Sequence, residues 1–158
     1  MEYAASVGEC EFRGERGLPK RGSGWNPLFF SDREGGSGKN ALYESRLVSG
    51  RYEPAKRLPS VVNAGPSDTS PFIAPNGKTL LFYSTREGGF GKADLYVSYK
   101  KHGKWTTSAN LGSIVNSADS DYNPAVSPDG QELFFGRNSR LYMIATAAVH
   151  GLGAKRFR

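Results

Sequence analysis

The sequence predicts an all-β fold, a partial β-propeller of four-stranded antiparallel blades, about two and a half in number. Three observations lead there: a long unit recurs, its turn residues fall at fixed offsets, and no segment carries a sustained helical period. Residues 28–77 laid over 81–130 need no gap and are identical at 22 of 50 positions. The matches run along the whole unit and include Phe29/Phe82, Leu42-Tyr43/Leu95-Tyr96, Gly50/Gly103, Leu58/Leu111, Asn63/Asn116, Asp68/Asp121, Pro71/Pro124 and Gly77/Gly130. A third copy opens at Leu133-Phe134-Phe135 and reaches Leu141-Tyr142, with its glycine loop cut by seven residues. A period near 50 with this turn chemistry marks propeller blades or a similar array.

One unit reads as four strands. Strand a covers residues 70–74, and Pro75-Asn76-Gly77 turns the chain, as Pro128-Asp129-Gly130 does one repeat later. Asn-Gly and Asp-Gly supply the positive φ angles that tight hairpins need. Strand b is TLLFYS, residues 79–84, and strand c is DLYVSYK, residues 94–100. His102-Gly103 makes the next tight turn, and strand d starts near Trp105. The connection at 112–122 then leads into the following strand a. The first unit lacks its inner strand, because Asn26-Pro27 runs straight into LFF where Asn123-Pro124 is followed by AVSPDGQE. The organisation is therefore an extension at 1–27 that matches the repeat poorly, repeats at 28–80, 81–132 and a partial 133–145, and a basic tail at 146–158.

Between strands b and c stand REGGSGK (33–39) and REGGFGK (86–92), which suggest a phosphate-binding loop. That motif needs G-x-x-x-x-G-K-[ST], since its amides wrap the phosphates and its hydroxyl holds magnesium. The first slot holds Arg33 or Arg86, and the last holds Asn40 or Ala93, so both copies fail at both ends. The glycines are required first for the hairpin backbone.

Composition narrows the functional classes. A chain of 158 residues fits one domain with a real core, and no apolar run approaches the length of a membrane span. No signal peptide is visible at MEYAASVGECEF, and the single Cys10 forms no internal disulfide. The net charge of +6 is uneven. Residues 28–136 are nearly neutral, whereas the last 22 carry Arg137, Arg140, Lys155, Arg156 and Arg158 with no acid. Nucleic-acid binding calls for a basic face across the fold, so a basic end reads as a solvated terminus.

The pattern NPAVSPDGQELFF (123–135) resembles the unit of TolB-type, WD-repeat-like β-propellers. LFYSTREGGFGKADLYVS (81–98), GKW (103–105) and NLG (110–112) are similar to it in order and period, over roughly residues 28–145. The resemblance implies a periplasmic, secreted or surface-associated bacterial protein whose propeller is a platform for other proteins or envelope polymers. It implies interaction rather than catalysis, with no cofactor.

Blade topology collects the b–c and d–a connections on one face of the fold. The expected partner-binding residues there are Arg33, Glu34, Lys39, Arg86, Glu87, Lys92, Asp119, Asp121 and Arg137, on loops held by a rigid scaffold. Asp68, Asp94 and Asp121 stand where aspartates cap turns. SADSD (117–121) spaces its carboxylates as some calcium loops do, but lacks the glycine and distal glutamate of an EF-hand. Tyr43, Tyr52, Tyr96, Trp105 and the phenylalanines read as packing between blades. His102 and His150 lie in a turn and in the tail, and no nucleophile elbow is present, so catalysis has little to rest on.

The favoured reading is a non-catalytic interaction module of the bacterial envelope. The alternatives are a propeller enzyme, or enzyme-associated domain, acting on polysaccharide or peptide, and a truncated remnant. Two and a half blades leave sheet faces uncovered, so the chain is expected to associate with itself or with other blades.

Overall fold

The computed structural model describes residues 26–34 and 39–157. The expected extension at 1–27 lies almost wholly outside these residues, as do Cys10 and the Gly-Gly-Ser-Gly of the first glycine loop. Three antiparallel sheets stand in sequence. The first holds β1 (Leu28–Ser31), β2 (Ala41–Glu44) and β5 (Lys56–Arg57), in that spatial order. A small hairpin, β3 (Leu47–Val48) with β4 (Arg51–Tyr52), interrupts it. The second sheet is a full blade, ordered β6 (Asp68–Ile73), β7 (Thr79–Ser84), β8 (Asp94–Lys101), β10 (Ala109–Asn110), with β9 (Lys104–Trp105) paired only to the end of β8. The third holds β11 (Asp121–Val126), β12 (Glu132–Arg137) and β13 (Arg140–Ala145). The fold is all-β, a partial propeller of antiparallel blades whose end units each have three strands.

Strand alternation explains how blades stack. On β7, Leu80 and Phe82 point to the first blade while Leu81 points to the third. On β8, Tyr96 joins the first side, and Leu95 and Val97 the second. Two cores result. One gathers Leu42, Leu58, Val62, Leu80, Phe82, Tyr96 and Trp105 between the first and second blades. The other gathers Leu81, Leu95, Val97, Leu133 and Phe135 between the second and third. A central blade buried on both faces needs apolar residues at consecutive positions, which is why TLLFYS has no polar alternation.

Two details differ from the sequence reading. The inner strand starts at Asp68, two residues earlier than expected, then bulges between Thr69 and Phe72. β11 bulges at the same place, between Tyr122 and Ala125. Pro71 and Pro124 sit in these bulges, where a missing N–H breaks no ladder bond. Ser70 and Asn123 take positive φ there, at 46° and 52°, and join blade to blade through Ser70 Oγ donating to Asn123 at 2.8 Å. The outer strand starts near Trp105 as expected, as β9, but is interrupted before it resumes as β10. The Thr106 hydroxyl accepts from the Tyr99 amide at 3.1 Å, and its carbonyl accepts from Ser98 Oγ at 2.7 Å. This jog separates the pairing of β9 with the end of β8 from that of β10, which resumes at Ala109.

The C-terminal segment is also not a solvated tail. Val149, Leu152 and Phe157 are buried in the core between blades two and three. Asn76 and Thr79 each donate to the Arg156 carbonyl at 2.6 Å, and Tyr99 donates to Gly151 at 2.8 Å. The segment thus packs on the interface between blades two and three beside the start of β7 and the end of β8.

Candidate functional site

The b–c hairpin and d–a connection meet at one end of the sheets. Lys92 N–H donates to the Asp119 carbonyl at 3.2 Å, and Asp121 N–H to Ala93 at 2.8 Å. Gly91 passes so close that a Cβ there would lie 2.1 Å from the Asp119 carbonyl. The first two units repeat the junction, with Asp68 N–H donating to Asn40 at 2.9 Å.

What the glycine loop holds is a carboxylate of its own chain. Asp94, buried at the head of β8, accepts from Phe90 N–H at 2.6 Å, Gly91 N–H at 3.1 Å and Asn110 Nδ2 at 2.9 Å. A Cβ on Gly89 would stand 2.0 Å from that carboxylate. The amides that would cradle phosphate are thus turned inward. In the first copy the position of Asp94 is Ala41.

Arg86 and Arg137, expected as loop charges, are clasps inside their blades. The Arg86 guanidinium donates to Asp68 at 2.8 Å and to the Val62 carbonyl at 2.9 Å, lying over the stacked rings of Phe82 and Tyr96. Arg137 donates to Asp121 at 2.6 Å and to the Val115 carbonyl at 2.6 Å, over Phe135 and Tyr142. The arginine side chains are 13% and 20% exposed, and both aspartates are fully buried. Asp68 also accepts from Gly65 N–H and Asp121 from Ser117 N–H, as turn-capping aspartates do. Shortening the third loop has moved its arginine two positions along the repeat, yet the clasp is kept.

Of the expected site residues, Asp121 is therefore interior, and Arg86 and Arg137 are committed to it or its counterpart. Arg33, Glu34, Lys39, Glu87, Lys92 and Asp119 are exposed. Asp119 accepts from Asn138 at 2.7 Å, and Glu34 lies 3.9 Å from Arg57. Arg33 covers Phe29 and Tyr43 as its counterparts cover their rings, at 5.3 and 4.9 Å, but has no ion pair among the described residues. Burial, with Glu34 adding to it, raises the Tyr43 phenol above its ordinary value. Tyr52, expected in a blade interface, is exposed on the β3–β4 hairpin.

Sequence reading marked Asn63 and Asn116 as repeated but assigned them no role. Each is buried beside the start of strand c and satisfies both backbone groups of its second residue. Asn63 pairs with Leu42 N–H and C=O at 2.8 and 3.0 Å, and Asn116 with Leu95 at 2.8 and 3.1 Å. An asparagine at the same place in both connections, ahead of the next inner strand, was the available signal. At the opposite end, a groove of about 290 Å³ brings Lys78, Lys100, Lys101, Lys155 and Arg156 together beside Tyr99. The basic end of the chain thus joins lysines of the blade.

No protein-family model matches the sequence, and no curated protein does. The fold and junctions define a TolB-like β-propeller architecture. A solved structure of a TolB candidate from Agrobacterium tumefaciens is similar, with a TM-score of 0.54 and 18% identity. The match covers 78% of this chain and 42% of that one, so the chain spans less than half of that protein's length. Among the described residues no helix is long and apolar enough to cross a membrane.

Proposed function

We propose that the chain is a non-catalytic propeller interaction module of a bacterial cell envelope, periplasmic or surface-associated. It binds a protein or envelope glycan through its b–c and d–a loops. One observation carries the reading: Glu87, Lys92 and Asp119 are exposed around a junction whose backbone is held at Phe90, Gly91, Lys92 and Asp121. Loops immobilised before binding lose little entropy on contact, which suits recognition. Arg33, Glu34 and Lys39 extend the surface on the first blade. The mixed signs favour a polar partner with complementary charges over a uniformly charged polymer.

The test is cosedimentation with purified peptidoglycan sacculi and, separately, crosslinking in an extract of periplasmic proteins. Both are run with the native chain and with Glu87→Lys combined with Lys92→Glu. The reading expects binding in one of the two arms, weakened several-fold by the double reversal while the melting temperature holds. Equal binding by both chains, or none in either arm, would remove the loops from the function.

A further inference from the structure

We propose that the basic groove at the end of the sheets away from the loops is a binding site for a phosphate monoester. Lys78, Lys100, Lys101, Lys155 and Arg156 line a space of about 290 Å³, and no acidic residue is among the described residues that line it. Three stretches of chain bring these cations together: the approach to β7, the end of β8 and the C-terminal segment. Glu44, 3.6 Å from the Lys100 ammonium, offsets one of the five charges. The site lies apart from the loop surface and does not depend on it.

The backbone holds these cations together against their mutual repulsion. One step past the Thr79/Tyr99 pair, Lys100 N–H donates to the Lys78 carbonyl at 2.7 Å, so the two lysines stand opposite across the strands. Lys101 stands opposite Lys104 in the β8–β9 hairpin. Like charges directly opposite destabilise a strand pair, and a bound anion offsets that cost. The C-terminal cations are fixed in place as well. The Arg156 carbonyl accepts from Asn76 and Thr79 at 2.6 Å, and the next residue, Phe157, is buried. The Arg156 guanidinium lies 4.7 Å from the centre of the Tyr99 ring, whose hydroxyl donates to Gly151. A site assembled before its ligand arrives loses less entropy on binding. Four of the five cations are lysines, compact point charges that suit phosphate, whereas paired recognition of a carboxylate draws on arginine forks. A phosphate monoester carries about 1.5 to 2 negative charges on three oxygens at neutral pH, a density that several ammonium groups around a small space match.

Two arms test the site with the full chain and separate the sources of the phosphate. In one, glycerol 3-phosphate is titrated by calorimetry. In the other, the chain is sedimented with phosphatidylcholine vesicles that contain or lack phosphatidic acid, whose headgroup is a phosphate monoester. Saturable binding of glycerol 3-phosphate assigns the groove to a soluble ligand, and binding to the phosphatidic acid vesicles alone assigns it to a lipid headgroup. Lys101→Ala with Lys155→Ala should weaken the interaction about tenfold or more, since two charge-assisted contacts are lost. Arg46→Ala with Arg140→Ala removes the same charge from exposed positions outside the groove and should leave the affinity unchanged. Glycerophosphocholine, a phosphodiester with its own cation, should bind at least about tenfold more weakly than glycerol 3-phosphate. That comparison leaves the protein untouched, so it stands even where a variant folds poorly. Binding in neither arm, equal losses in the two double variants, or equal affinity for glycerophosphocholine would overturn the proposal.

Discussion

Asp121 and Arg137 form a pair that is short, almost wholly sheltered and roofed by two aromatic rings. Removing one member strands the other in a medium that solvates it poorly, at a typical cost of about 3–5 kcal/mol. Arg137→Ala is expected to lower stability by roughly that amount, and Asp68→Asn in the equivalent clasp by a similar or smaller one. Urea unfolding checks both, with a midpoint shift at constant slope as the expected outcome. Tyr99 offers a pH-dependent test. Burial raises its phenol above the ordinary value of 10.0, against the opposing pull of Arg156. Below pH 10 both states keep the proton. Above it the unfolded chain loses the proton first, so stability falls as pH rises. Tyr99→Phe should remove this part of the alkaline decline, while also losing the hydrogen bond to Gly151 at neutral pH. Identical alkaline slopes for the two chains would exclude Tyr99 as a source.

The elements most sensitive to change are the glycine hairpin and the C-terminal segment. Gly91→Ala must push a methyl into the Asp119 carbonyl, which is backbone and cannot swing aside. The expected consequence is separation of the b–c loop from the d–a connection, with faster amide exchange at Lys92 and Asp121. Gly88→Ala meets no atom, but its φ of +82° carries a backbone cost of its own, typically about 1 kcal/mol. Phe157 is buried in the second core, so Phe157→Ala should cost about 3–5 kcal/mol by thermal or urea unfolding. A truly solvated tail would give almost no change.

For the molecule as a whole, the faces at its ends decide behaviour. Leu141 and Met143 on β13 are 76% and 60% exposed, and Phe134 lies opposite Met143 on the same side. In the preceding blade the counterparts of Phe134 and Leu141, Leu81 and Leu95, are buried against a neighbour. The chain is therefore expected to associate, in a head-to-tail manner that continues the blade stacking. Light scattering on the purified chain should report a mass above that of a monomer. Leu141→Glu with Met143→Glu should return it to a monomer. A monomeric native chain would show that this face tolerates water.

Much of this was legible in the sequence, and for identifiable reasons. The repeat at 28–77 and 81–130, the turns at Pro75-Asn76-Gly77 and His102-Gly103, and the bounds of β7 follow from local chemistry. Turn residues act over two or three positions, and strand pattern over six, so both can be read along the chain. The blade order followed because one blade copies another. Only the tertiary structure decided which charges face water. Asp121, Asp119 and Lys92 look alike in sequence, yet the first is sealed under a clasp while the others stand free of the core. It also decided that the basic C-terminus packs as a lid through Val149, Leu152 and Phe157. Burial is set by what other segments bring, from sixteen residues away for Asp121 under Arg137 to about eighty for the C-terminal segment on Asn76 and Thr79, and a charge carries no local mark of the partner that will cover it.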